Sequence, residues 1–209
     1  MILDPFGPLI YKEKISDEFL TFLQDVAKES ENGGAHVGWD LAGNIEGQIG
    51  AVADAKQFMS FVDPHVKDYI RANLKRASEY MINFQEMDVD NIDYNLGNGP
   101  WINYQKQHEF NPLHYHYGII SAVIFIDIPE VISKEMDDWE GKSNSPCPGL
   151  LEFAYANSMF MCSGSHRVIP KTGDMYLFPA ELKHCVYPFK SDVTRISMSF
   201  NVKDLQFKS

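Results

Sequence analysis

The segment Asn111-Pro112-Leu113-His114-Tyr115-His116-Tyr117-Gly118 sets two histidines two residues apart. Side chains at i and i+2 of an extended chain leave the same face, so His114 and His116 could reach one metal ion together. Two ordinary surface or core histidines are the competing reading, since a lone H-x-H pair is weak evidence. His184, near the start of a later apolar run, offers a third imidazole from a distant strand, which is a common way to assemble a metal site in a β-barrel. His36 and His65 fall in a helical half of the chain and His108 and His166 beside turn signals, so these four are expected to stand outside any such site.

A second polar pattern closes the chain. Ile196, Met198, Phe200 and Val202 alternate with Arg195, Ser197, Ser199 and Asn201. One face is therefore apolar, while the other carries a single Arg followed by small hydroxyls and Asn. An exposed sheet face would mix Lys, Glu and Thr; this one reads as the lining of a polar cavity that holds an anion, with a solvated face as the alternative.

The elements that must position these residues divide the chain in two. Before residue 100 the pattern is mainly helical. Ser16-Asp17-Glu18 is a helix start, with Phe19, Leu20, Phe22, Leu23 and Val26 at helical spacing until Asn32-Gly33-Gly34. Asp63-Pro64 is expected to open a second helix, carried by Val66, Tyr69, Ile70, Leu74, Ala77, Met81 and Ile82 to about Phe84. Between them, Gly38–Gly50 reads as a loop or short edge strand. From Trp101 the period falls to two, predicting strands over 101–107, 111–117, 119–128, 149–156, 173–178, 184–189 and 194–203. The polar stretch 130–148 is expected to be an inserted lid-like loop, whose Asp137, Asp138 and Glu140 would favour a cationic or neutral substrate. The expected architecture is one domain over 1–209, mainly β with α: a helical part over 1–99 packed on a β core over 100–203.

Composition narrows the function classes. The 209 residues carry 18 Lys plus Arg against 29 Asp plus Glu, a net charge of −11 with no basic run, which argues against nucleic acid as the main partner. The longest apolar stretch, Ile119 to Ile126, is far short of the roughly 20 residues that span a bilayer, so no membrane partner is expected. Met1 to Pro8 lacks the pattern of a secretory signal, and Cys147, Cys162 and Cys185 form no C-x-x-C pair; reduced thiols in a cytoplasmic protein are the expectation. Oligomeric state is not legible.

Taken in order, Trp101-x-Asn103, the run from Asn111 to Gly118, Ser121 before an apolar strand, Gly173-Asp-Met-Tyr-Leu-Phe-Pro179, His184 and Arg195-x-Ser-x-Ser-x-Asn201 resemble the Fe(II)/2-oxoglutarate-dependent dioxygenases, and within them a branch known largely from genome sequences, including many marine phage genes. The resemblance covers roughly residues 100–203. It implies a double-stranded β-helix, a jelly roll of cupin-like form, with helices outside. It also implies Fe(II), 2-oxoglutarate and O2 as cofactors, and a hydroxylase-type oxidation of a substrate that the sequence does not name. By the same resemblance, His114, His116 and His184 would hold the metal, and Arg195 with Ser197 would neutralise the far carboxylate of 2-oxoglutarate. Asn103 and Tyr104 are further candidates for that pocket, and Tyr115, Tyr117 and Phe178 could exclude water from it. The chain departs from the family's usual His-x-Asp or His-x-Glu. Three imidazoles still suit Fe(II) and leave positions open for cosubstrate and O2. An alignment of His116-x-Gly118 with the motif would instead leave a two-histidine centre with one more open position. A three-histidine cupin-like metalloenzyme without 2-oxoglutarate, and a non-catalytic β-barrel used for binding, remain the alternatives.

Overall fold

The computed structural model describes residues 6–82, 85–139 and 143–207. Phe84 and Glu140, invoked above, and residues 1–5 lie outside them.

Twelve short strands, three α-helices and two short 3-10 helices, Gly38–Asp40 and Asp137–Trp139, account for the regular structure of the described residues. Strand β1 (Tyr11–Lys14) leads into helix α1 (Asp17–Gly33). The Ser16 side chain caps that helix by accepting from the Phe19 N–H at 3.2 Å, and the Gly34 N–H closes it onto the Ser30 carbonyl. Strand β2 (Gly47–Gly50) precedes helix α2, which runs from Ala55 to Tyr80 and is capped by Asp54. The expected start at Asp63-Pro64 is corrected here: Pro64 sits inside α2. Ser60, whose carbonyl Pro64 leaves without an intrahelical donor, is exposed, so water can serve it. Met81 and Ile82 lie beyond the helix and are 63% and 91% exposed, so the apolar periodicity overran the core.

The remaining strands are β3 (Ile92–Asn95), β4 (Trp101–Gln105), β5 (Asn111–His114), β6 (Ile120–Asp127), β7 (Leu151–Ala154), β8 (Ser165–Val168), β9 (Asp174–Pro179), β10 (Lys183–Val186), β11 (Arg195–Val202) and β12 (Asp204–Phe207), with helix α3 (Glu130–Lys134) between β6 and β7. They form a six-stranded antiparallel sheet in the order β1-β9-β6-β11-β4-β2 and a four-stranded one in the order β5-β10-β7-β8, with β3 and β12 paired separately. These are the two walls of the expected jelly roll.

Strand alternation divides the side chains of the large sheet between two compartments. Ile102, Tyr104, Ile124, Ile126, Met175, Leu177, Met198 and Phe200 share one core with Phe19, Leu23, Phe58 and Val62 of the two long helices. The intervening residues face the small sheet: Phe125, Tyr176 and Phe178 pack with Leu151, Phe153 and Leu182. Phe125, Leu151 and Phe178 of this cluster also line the cavity between the sheets.

The 130–148 segment is tied down. Glu135 is buried and accepts from the Lys190 N–H, the Ser191 N–H and the Ser191 hydroxyl. Burial pushes its carboxyl upward, but the hydrogen bonds from Ser191 and Lys190 outweigh that and hold it below the ordinary value. No helix among the described residues is long and apolar enough to cross a membrane.

Candidate metal centre

The cavity between the sheets is lined by Trp101, Asn103 and Gln105 of β4, Arg195, Ser197 and Ser199 of β11, and His114, His116 and His184. Every β4 and β11 residue here is odd-numbered, as the alternation requires. Tyr104 is of the other parity, and that is a correction to the expectation that it shares the pocket with Asn103. Its ring is buried against α1, and its hydroxyl donates to the Ala27 carbonyl.

His114, at the end of β5, and His184, on β10, are Cα partners across the β5–β10 pair. His116 lies two residues beyond the end of β5, which stops short of the expected 111–117, and its backbone N–H donates to the Ala180 carbonyl at 2.9 Å. The one-strand placement of the H-x-H pair therefore fails, yet the three side chains converge: one ligating atom from each lies within 4.8 Å of the others. His36, His65, His108 and His166 stay away from this cluster.

The outer ring nitrogens fix the chemistry of the inner ones. His114 Nδ1 lies 2.7 Å from the Pro112 carbonyl and His184 Nδ1 lies 2.9 Å from the Leu182 carbonyl. A carbonyl only accepts, so each Nδ1 carries the proton and each Nε2 offers a lone pair, the arrangement that backbone partners give to metal-binding histidines. Burial lowers all three imidazoles, His116 to about 4 with help from His114 and His184 to about 3, so they are neutral ligands at neutral pH. Phe178 packs edge-on to His184 at 4.8 Å between ring centroids, and Trp101 lies 5.8 Å from His116. Tyr115 and Tyr117 contact each other but are 49% and 85% exposed, and neither lines the cavity. This donor set fits a divalent metal with open positions.

Arg195 is 3% exposed and has no carboxylate partner among the described residues. Its Nη1 donates to the Gly149 carbonyl at 2.8 Å and its Nη2 to Gln105 Oε1, while its buried Nε has no partner. Burial alone pulls it down to about 10, still fully charged at neutral pH. An unneutralised buried cation costs stability, and an anion entering the cavity would recover much of that. Ser197 and Asn103 stand beside it; Asn103 Oδ1 accepts from Gln48 Nε2 at 2.9 Å.

Gln105, Gly149 and Gln48 were missed by the sequence reading. For Gln105 the signal existed, because it follows Asn103 by two residues on the same face. Gly149 acts through a backbone carbonyl, with φ of +66° favouring glycine, and no side-chain pattern marks that. The segment Leu41–Gly43, with Ile45, borders the cavity, whereas none of the described residues of 130–148 lines it.

Residues 99–201 match the family described as "Putative 2OG-Fe(II) oxygenase". In fold, the chain is similar to the crystal structure of a Pseudomonas putida prolyl-4-hydroxylase, at 14% identity and a TM-score of 0.50 over 93% of this chain and 92% of that one. It is also similar to a Trichoplax adhaerens prolyl hydroxylase, solved with a hypoxia inducible factor oxygen degradation domain peptide fragment, at 12% identity and a TM-score of 0.55 over 95% and 84%. No curated protein matches the chain. The family implies Fe(II), 2-oxoglutarate and O2 as cofactors, and the three histidines and Arg195 all lie inside the matched span. Residues 99–201 thus match that family's model, and the two solved structures share the fold of this β core.

Proposed function

We propose that the protein is a 2-oxoglutarate-dependent Fe(II) oxygenase in which His114, His116 and His184 hold the metal and Arg195 receives the far carboxylate of 2-oxoglutarate, with Ser197 and Asn103 beside it. The observation that carries this reading is Arg195: a charged, fully buried guanidinium with no acid partner among the described residues, in the cavity that also holds three converging imidazoles. Bound Fe(II), with 2-oxoglutarate and O2, would supply the oxidation, in which the oxoacid loses CO2 and takes one oxygen atom of O2 as a new carboxylate while the substrate takes the other. The protein's part is to fix ligand orientation through the Pro112 and Leu182 carbonyls, to present a guanidinium fork held by Gln105 and Gly149, and to limit water with Phe178 and Trp101.

The finer alternatives differ at the same residue. A three-histidine metalloenzyme that does without 2-oxoglutarate has no use for a buried Arg in its cavity, and Arg195 turned to solvent would have favoured it. Adding Fe(II) and 2-oxoglutarate without oxygen tests the reading. A weak visible charge-transfer band that needs both components is expected, and its absence with metal demonstrably bound would remove 2-oxoglutarate from the function.

A further inference from the structure

No Asp or Glu lines the cavity among the described residues. The groups that would share it with a metal are three neutral imidazoles and one guanidinium. On the functional reading above, a divalent metal and Arg195 together bring three positive charges, of which dianionic 2-oxoglutarate cancels two. One positive charge remains in a space walled by Phe125, Leu151, Phe178 and Val186. Residual charge in such surroundings is costly, and the most direct relief is a counter-charge inside the same cavity. The acids that make the whole chain negative do not supply it: among the described residues, no carboxylate lines the cavity or shifts the titration of Arg195 or of the three histidines. Charges spread over the surface are screened by salt beyond roughly 10 Å.

We infer that the substrate brings the missing charge: it carries one oxyanion, most simply a carboxylate, that enters the cavity together with 2-oxoglutarate. This inference rests on the oxygenase reading and adds the substrate class to it. An oxyanion suits the lining better than a halide because the cavity holds hydrogen-bond donors not assigned to 2-oxoglutarate, Trp101 and Ser199 among them, and a carboxylate can accept from several at once. The local balance also reverses the expectation of a cationic or neutral substrate, which was drawn from Asp137, Asp138 and Glu140; the described residues of that segment do not line the cavity.

The test uses the whole protein loaded with Co(II), whose visible bands report on its ligands, with saturating 2-oxoglutarate. Sodium acetate is then titrated, with sodium chloride at equal ionic strength as the comparison. Acetate is expected to perturb the bands saturably without displacing 2-oxoglutarate, and chloride to do so about ten-fold more weakly. Ser199→Asp and His116→Asp each place a carboxylate in the cavity, the first without touching a ligand, and each is expected to weaken the acetate response by about ten-fold while circular dichroism shows the fold intact. No response to acetate, displacement of 2-oxoglutarate by acetate, or an unchanged response in a folded Ser199→Asp variant would overturn the inference. Equal responses to chloride and acetate would assign the charge to a free inorganic ion and overturn the substrate class. If 2-oxoglutarate itself leaves the Co(II) bands unchanged, the oxygenase reading fails first, a result distinct from all of these.

Discussion

His184 stands directly opposite His114 across the antiparallel β5–β10 pair, with ring centroids 4.3 Å apart. Two of the three imidazoles are thus fixed by ladder register, and the third hangs from the loop after β5. A slip of one residue in this pair would turn one of the two rings out of the cavity.

Replacing His184 by Ala should therefore lower Fe(II) or Co(II) affinity by more than the roughly 10- to 100-fold that loss of an outer partner costs. His114→Ala should do the same. Metal titration followed by calorimetry measures both; unchanged affinity in either variant would remove that residue from the ligand set.

Arg195→Ala should weaken 2-oxoglutarate binding by about 2–4 kcal/mol and leave metal affinity nearly intact, because it removes the partner of a buried carboxylate and not a ligand. In the protein without 2-oxoglutarate, Arg195→Met should leave the melting temperature unchanged or raise it, since a buried cation without an acid partner is exchanged for an apolar side chain of similar length. Equal loss of metal and 2-oxoglutarate affinity would make Arg195 a structural residue.

Tyr104 and Asn103 are neighbours in sequence with opposite duties. Tyr104→Phe should cost about 1 kcal/mol of stability through the lost hydrogen bond to Ala27 and leave 2-oxoglutarate affinity untouched. Asn103→Ala should weaken 2-oxoglutarate binding. Denaturant unfolding and ligand titration on both variants separate the two roles, and a Tyr104→Phe protein with impaired 2-oxoglutarate binding would contradict the alternation.

Glu135 gives a pH dependence of known sign. Its folded value lies below the ordinary carboxylate value, so its stabilising effect is complete above the unfolded value and is lost as pH falls through the folded one. Glu135→Gln should flatten the acid limb of the stability curve, and Glu135→Ala should cost about 1.5–3 kcal/mol at neutral pH. Stability curves of variant and parent that stay parallel between pH 6 and about 3 would show that Glu135 contributes nothing there.

The parity of the β core was open to reading before any coordinates. In Arg195–Val202 the alternation of apolar and polar residues placed Met198 and Phe200 against helices and Arg195 and Ser197 in a cavity, because burial on one face leaves only one register available. Helix α1 was legible for a similar reason, since Ser16 caps it and Gly33-Gly34 ends it. Tyr11–Lys14, Ile92–Asn95, Ser165–Val168 and Asp204–Phe207 were not. Each has four residues, at least two of them polar or charged, and each becomes a strand only through a partner remote in sequence or across a long loop, as Tyr11 does with Leu177 and Ile92 with Phe207. His116 shows the same limit in the site: its spacing from His114 was visible, but the end of β5 between them was not.

The place of β11 between β6 and β4 has a bearing on how the protein is made. Until Arg195–Val202 has left the ribosome, β6 and β4 each have an unpaired edge, and the sheet face that covers α1 and α2 is split down its middle. Arg195 and the floor of the cavity arrive with that same strand. A nascent chain cannot close its core or offer a cofactor pocket before β11 has been synthesised, a topology that favours slow folding and a long exposure of edges to chaperones. A ribosome-stalled chain ending at residue 190 should accordingly be cut readily by protease whether or not metal and 2-oxoglutarate are present, and protection should appear only once β11 has emerged.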